Sequence, residues 1–375
     1  MAYGGLDLDV RPVDPTAEDE MRRYQQLYVE AERAELPDAT VYSLQDAVSV
    51  LSRAPLGRFY RGYAAFERGR MVGEGMLTGG LVDNLESAKL WAWVPPSERR
   101  RGVGSAVTEF MVDECRRLGR GILQTSAKYP ASRRVDHPYR RFAEAHGFAL
   151  ANTQIERRLA LPVQGALLDS LASDAAAQAE SYLLRAVVGP IPVELAQGYC
   201  DVYNRLSTDA PVGDLVVEQS RRTPETLGDQ DSEIRAQGRT RVTVLALDRA
   251  GSVVGFTCAL VTLPGEPHVD QWATIVRSED RGHRLGLALK VAQVRLVQER
   301  FGDKRFITTT NAETNAHMVA VNEALGFEPY AIQGEFQRTL HDRESARPPH
   351  DHAQQHRSER GVNAHRATPK VGEPG

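Results

Sequence analysis

Cysteine is scarce in this 375-residue chain, with three residues, Cys115, Cys200 and Cys258, and no CxxC pair among them. That excludes a disulfide framework and a cysteine-based zinc site, and leaves buried free thiols as the expectation. Long apolar runs are missing too; no stretch approaches the roughly 18 consecutive apolar residues of a membrane helix. The opening Met1-Ala2-Tyr3-Gly4-Gly5-Leu6-Asp7 has no signal-peptide pattern, so a cytoplasmic protein without a membrane partner is expected. Neither sign of charge dominates: 46 basic against 50 acidic residues, net -4, gives no ground for a nucleic-acid partner. No GxxxxGK[ST] run occurs, which removes the P-loop, and Gly102-Val103-Gly104 lacks the third glycine of a dinucleotide fingerprint.

What is present describes an ordinary globular protein, 41% hydrophobic and 26% charged, and too long for one core. Its order of elements runs twice. In the first pass, apolar spacing predicts a helix over 18–36, a short helix over 44–53, a hairpin of strands 60–66 and 70–79, and a strand over 89–94. A helix over 103–118, a strand over 121–126, a short helix over 139–146 and two closing strands within 148–161 follow. In the second pass, strand 182–188 and helix 193–206 lead through a polar stretch ending at Gly238 to the strand pair 241–247 and 252–261. Then come strand, turn and helix over 270–300, strand 305–310, helix 315–325 and closing strands within 327–340. Val72-Gly73 and Val254-Gly255 stand 182 apart, as do Gly104 and Gly286, while Gly147-Phe148 and Gly326-Phe327 stand 179 apart. A tandem duplication accounts for that register. The expected domains are 1–162 and 182–340, joined by a linker over 163–181 that is helical in part, with a disordered tail over 341–375. Half of the ten histidines lie in that tail at irregular spacing, and no metal site is expected.

Each pass carries a turn between its fourth strand and the next helix: Arg99-Arg100-Arg101-Gly102-Val103-Gly104 and Arg281-Gly282-His283-Arg284-Leu285-Gly286. A helix start leaves backbone N–H groups unpaired and adds the positive end of the macrodipole, glycine lets a ligand approach, and arginine supplies full charge. Such a turn is suited to phosphate.

The first turn matches the Arg/Gln-x-x-Gly-x-Gly/Ala signature of the GCN5-related N-acetyltransferases, the GNAT superfamily, and the second matches except that Arg284 replaces the first glycine. The run Asn315 to Phe327, with Asn322 inside it and Gly326-Phe327 at its end, also resembles a GNAT motif, and Asp209 to Leu215 resembles a segment of bacterial GNAT proteins. The resemblance covers most of residues 1–340, and two such halves in one chain look like the mycothiol synthase arrangement, with nothing to single out that substrate. It implies an α/β (α+β) fold class: two tandem GNAT folds, each a mixed, mostly antiparallel sheet flanked by helices.

The resemblance further implies transfer of an acetyl group from acetyl-CoA, as cosubstrate, to an amine of a small molecule or peptide. Coenzyme would be held by Trp93, Val94, Arg99, Arg100, Arg101, Gly102, Val103, Gly104 and Ser105 in the first half. Ile275, Val276, Arg281, Gly282, His283, Arg284, Leu285, Gly286, Leu287 and Asn315 would hold it in the second. The carboxylate that GNAT enzymes often carry on the fourth strand is matched by Asp270, whereas the corresponding residue of the first half is Ala88, which points to catalysis in the second half. The usual tyrosine acid is replaced by Ala143 and Asn322, so the expectation is that the thiolate leaves through water or that Asn322, the candidate catalytic residue there, orients the thioester. The tryptophans Trp91, Trp93 and Trp272 are expected in the core. A GNAT fold kept as an acyl-CoA-binding regulatory or scaffold protein is the alternative function, and a monomer or homodimer is expected.

Overall fold

The computed structural model describes residues 7–52, 57–133, 136–205, 211–219, 221–263 and 266–340. The tail 341–375 and part of the Asp209 to Leu215 segment lie outside these.

The first half contains β1 (Leu8–Pro12), α1 (Glu18–Glu32), α2 (Leu44–Ser52), β2 (Arg58–Glu67), β3 (Arg70–Gly80) and β4 (Ser87–Trp93), then α3 (Val103–Arg117), β5 (Ile122–Pro130), α4 (Pro138–Ala145) and β6 (Ala149–Ala160). A helix, α5 (Gly165–Ala179), leads to the second half: β7 (Leu183–Val188), α6 (Val193–Tyr203), α7 (Pro224–Ala236), β8 (Thr240–Leu247) and β9 (Val253–Val261). It closes with β10 (His268–Val276), α8 (Leu285–Arg300), β11 (Phe306–Ala312), α9 (Ala316–Leu325) and β12 (Glu328–Thr339).

Among the described residues all twelve strands form one sheet, in the order β1-β2-β3-β4-β5-β12-β6-β11-β10-β9-β8-β7. Neighbours are antiparallel except β4 with β5 and β10 with β11. The order departs from two self-contained halves at its centre. Where two closing strands were expected at each end, 148–161 and 327–340 each form a single strand of 12 residues, and the two cross over. β12 lies between β5 and β6, running from Ala331 opposite Pro130 to Thr339 opposite Ile122 on one side, while β6 also pairs with β11 on its other edge. Through the exchange neither β5 nor β11 is an edge, since β5 pairs with β12 and β11 with β6.

The polar stretch and the connector expected to be helical in part both contain a helix. The polar run before Gly238 contains α7, started by a capping box between Thr223 and Thr226 with Pro224 in its first turn. Its charged surface hides the period, because the buried face holds Leu227 and Ile234 but also Asp231, which meets Arg241 at 2.7 Å. In the 163–181 connector, α5 buries Leu168, Leu171 and Ala175 in a cluster with Leu287, Val291 and Val294 of α8.

One close packing fixes which way the site residues face. On β3, a Cβ at Gly73 would stand 2.6 Å from Val103 Cγ1, and one at Gly75 would stand 2.6 Å from Val107 Cγ1. The glycines bring α3 down onto one face of the strand, so the residue between them, Glu74, points to the opposite face, toward α1.

Candidate functional site

The two turns adopt the same backbone. Arg99 (φ -69°, ψ 161°) matches Arg281 (φ -72°, ψ 164°), and each guanidinium returns to the strand behind it, Arg99 Nε donating to Val94 O at 2.9 Å and Arg281 Nε to Val276 O at 3.3 Å. The next two special positions are left-handed in both turns: Arg100 (φ +62°) and Gly102 (φ +89°) in the first, Gly282 (φ +86°) and Arg284 (φ +53°) in the second. Each turn therefore carries one glycine and one arginine in the left-handed region. Arg284 does not break the turn; it adopts the conformation at a strain of about 1 kcal/mol. In the first turn the amides of Val103, Gly104 and Ser105 precede the first helical bond, from Ala106 N–H to Gly102 C=O. Arg100 is exposed at this start, whereas Arg101 is turned away, held by Glu67 at 2.6 Å and by Glu98. The Ser105 hydroxyl lies 3.1 Å from Nε2 of His146, the residue that follows α4.

Beyond their turns the halves differ. β4 pairs with β5 only over Ser87 to Lys89, after which the strands part, and β10 pairs with β11 only over His268 to Gln271. The crevice between the following helices is floored in the first half by small residues, Thr108 on α3 and Ala143 on α4. The 182- and 179-residue offsets carry these positions to Lys290 and Asn322. There Lys290 Nζ donates to Asn322 Oδ1 at 2.7 Å, Asn322 Nδ2 reaches Asn311 Oδ1 at 2.6 Å, and both Lys290 and Asn322 are buried. Burial brings the Lys290 amine down to about 7. The second crevice is filled by its own side chains. Asn322, expected beside the thioester, is instead locked between α8 and β11, and Asn315 caps α9 by accepting from Met318 N–H. His283 sits exposed on the second turn, its Nδ1 3.2 Å from Asp280 O. Ile275, Leu285 and Leu287 are core residues; Val276 and Gly286 are partly buried.

A cavity of about 1560 Å³ opens on the first half. Val94, Arg99, Arg100, Gly102, Gly104 and Ser105 line one end of it, with Thr108 and Ala143 beneath; no residue from 274 to 287 reaches it. From there a line of side chains crosses to the second half. Trp93 meets Tyr28 edge-on at 5.2 Å between centroids, Tyr28 stacks on Tyr42 at 5.8 Å, and Tyr42 lies 5.6 Å from the Arg239 guanidinium. Arg239 is buried between Asp46, at 3.1 Å, and Asp270, at 3.5 Å. Asp270 thus faces the cavity of the first half, alongside His268, whose imidazole, 3.7 Å away, is shifted down chiefly by burial. The three tryptophans of the chain, expected in the core, all line this cavity, and Trp272 is 46% exposed.

Two carboxylates that belong to no motif enter the same space. Glu32 on α1 accepts from Trp93 Nε1 at 2.7 Å. Glu74 on β3 is 1% exposed, its Oε2 has no hydrogen-bond partner, and burial, then the charge of Glu32, pushes it well above the usual carboxylate range. One sign of Glu74 was available in the sequence: a lone charge in the middle of an apolar strand, between two glycines.

No protein-family model matches the chain, and no curated protein matches it. Solved structures do. A tandem GNAT protein from the clavulanic acid biosynthesis pathway is 25% identical, with a TM-score of 0.72 over 89% of this chain and 98% of its own. A GCN5-related N-acetyltransferase from Sphaerobacter thermophilus, 14% identical, matches 88% of this chain and 95% of its own with a TM-score of 0.60. A glucosamine N-acetyltransferase region of a fungal multi-domain β-N-acetylglucosaminidase, 15% identical, matches 88% of this chain and 38% of that one with a TM-score of 0.58. The last two share the fold alone. With its two matching turns, its two parting strand pairs and this likeness along nearly the whole length, the chain has the fold of a tandem GCN5-related N-acetyltransferase.

Proposed function

We propose that the protein is an acetyl-CoA-dependent N-acetyltransferase that binds its cosubstrate in the first half and takes an amine acceptor, a small molecule or a peptide end, in the cavity shared with Asp270. The observation that carries this is the single cavity lined at one end by Gly102, Gly104 and Ser105 and at the other by Asp270. Pyrophosphate suits the amides of Val103 to Ser105, with Arg100 free to add charge. The pantetheine arm suits the gap where β4 leaves β5, above Thr108 and Ala143, and can bond along the backbone of Trp93 and Val94 as an added strand. Asp270, Asp46 and Arg239 lie beyond, where an ammonium group would first be drawn in.

The second turn has the shape to bind an anion, but its crevice holds Lys290 and Asn322, and one coenzyme per chain is expected. Calorimetry tests this. Acetyl-CoA should bind with unit stoichiometry, Arg100→Glu should weaken it at least tenfold, and Arg284→Glu should leave it unchanged. A wild-type protein that binds no acetyl-CoA overturns the assignment. An acyl-CoA-binding scaffold remains the second reading, favoured by Ala143 at the position of the usual tyrosine acid. Free-thiol release from acetyl-CoA with an amine panel separates the two.

A further inference from the structure

The duplication supplies an internal control for the first-half cavity. Adding 182 to Glu74 gives Phe256 and adding 182 to Trp93 gives Ile275. On the first helices the correspondence is equally direct, Tyr24 with Tyr199 and Tyr28 with Tyr203, both 175 apart. In the second half these positions form an aromatic core: Phe256 packs 4.3 Å from Tyr199 and 6.3 Å from Tyr203. In the first half the same framework contains a carboxylate and an indole bound to another carboxylate. Leaving Glu74 buried with an unpartnered oxygen is costly where an apolar residue fits the fold, as Phe256 demonstrates. Such a group has a use only if something in the cavity exchanges a proton with it.

Resting on the acetyltransferase reading, we propose that Glu32, bonded to the Trp93 indole, and Glu74, opposite Trp93 in the β3–β4 register, are the proton-handling pair of the acyl-transfer reaction in the first-half cavity. The groups facing them are Tyr24 and Tyr28 of α1, both shifted up chiefly by burial, Tyr42, and Lys128 of β5, itself bridged to Glu156 of β6 at 2.7 Å. Among the described residues no cation pairs with Glu74, burial favours its protonated form, and in the proposed resting state it carries a proton. As the neutral amine nitrogen forms its bond to the acetyl carbon and the carbon–sulfur bond breaks, Glu32 accepts the proton from nitrogen and Glu74 gives its proton to the departing sulfur. The products are an amide and a free thiol. The proton on Glu32 then passes to Glu74, restoring the starting pair. This supplies the acid that Ala143 and Asn322 do not provide.

Infrared spectroscopy of the full chain tests the resting state without an acceptor. Near pH 7 the wild type should show the carbonyl stretch of a protonated carboxyl, this band should be missing from Glu74→Gln, and acetyl-CoA should shift it. With acetyl-CoA and glycinamide, glucosamine or putrescine, Glu74→Gln should lower thiol release about 100-fold, within the usual range for losing an acid–base group. Its acetyl-CoA affinity by calorimetry should change less than threefold, and Glu74→Asp should recover part of the rate. Glu32→Gln should shift Trp93 emission and flatten the pH profile. A wild type that binds no acetyl-CoA overturns the acetyltransferase reading. A wild type that binds it, but has no protonated-carboxyl band, or keeps that band or the full rate in Glu74→Gln, overturns the pair alone. Near-isosteric glutamine keeps the fold, and a thermal melt of each variant verifies this.

Discussion

Replacing Lys290 by Met should change how stability depends on pH. Lys290 is buried between α8 and α9, bonded to Asn322 and lying 4.9 Å over the Phe327 ring. Burial holds its amine at about 7, against roughly 10.4 in an unfolded chain. Between those values the native amine is neutral while the unfolded one is charged, so the unfolded state binds more protons and stability rises with pH. Integrated from pH 6 to pH 8, this one group adds about 1.4 kcal/mol to the wild type. His137 and His268, both shifted down by burial, titrate in the same direction but are present in both proteins and cancel in the difference. Met fills similar volume without a charge, and Asn322 keeps its bond to Asn311. Urea denaturation of both proteins at pH 6, 7 and 8 measures the outcome. The stability of wild type relative to Lys290→Met should improve by about 1.4 kcal/mol across that range. Parallel curves would refute the reasoning; they would mean that Phe327 and Asn322 together keep the ammonium charged, and that the second crevice is filled by an ion, not by a neutral amine.

Because Trp91, Trp93 and Trp272 all line the cavity, acetyl-CoA binding should alter intrinsic tryptophan fluorescence, and Trp93→Phe should remove most of the change; an unaltered signal in the variant would place the ligand elsewhere. Gly102→Ala, at φ +89°, should cost about 1 kcal/mol in a chemical melt and weaken acetyl-CoA, since an L-residue is strained there. Asp270→Asn should lower turnover of amines while acetyl-CoA affinity by calorimetry stays the same; an equal rate would remove Asp270 from the acceptor side. Expression of residues 1–162 alone should give a chain that aggregates or dimerises in size-exclusion chromatography, because β5 then lacks β12 along nine residues; a soluble monomer would show that the exchanged strand is dispensable.

The duplicated plan was legible because periodicity and turn residues are local. The helices of 18–32 and 103–117, the strand pair at 240–261 and both arginine-glycine turns follow from spacing that any window of the chain reveals. The exchange of β6 and β12 is not local. A 12-residue strand whose partners come from the other half has the same alternation as one that folds back, so its pairing with distant strands leaves no local mark. Helix α7 was hidden for a related reason, since Asp231 on its buried face answers Arg241, a residue on another element. The same limit governed the site. The arginine-glycine turn could be read from Arg99 to Gly104, but whether its crevice is open depends on Thr108 and Ala143 against Lys290 and Asn322, positions more than thirty residues apart that matter only as pairs.

Comparison of the halves also changes what the Asp270 and Ala88 asymmetry means. Read along one strand, a carboxylate in the second copy and alanine in the first assign the chemistry to the second. In space, β10 delivers Asp270 to the cavity beside the first copy's arginine-glycine turn, because the second half lines that cavity through α7, β10 and β11. The two copies then need not both be complete. One can lose its crevice to Lys290 and Asn322 and its buried carboxylate to Phe256 while still contributing Arg239, His268 and Asp270 to the other. The exchanged strands tie that division into one sheet: β12 pairs with β5 and β6 at once, β6 pairs with β11, and β11 holds β10 through the register of Thr308 with Asp270.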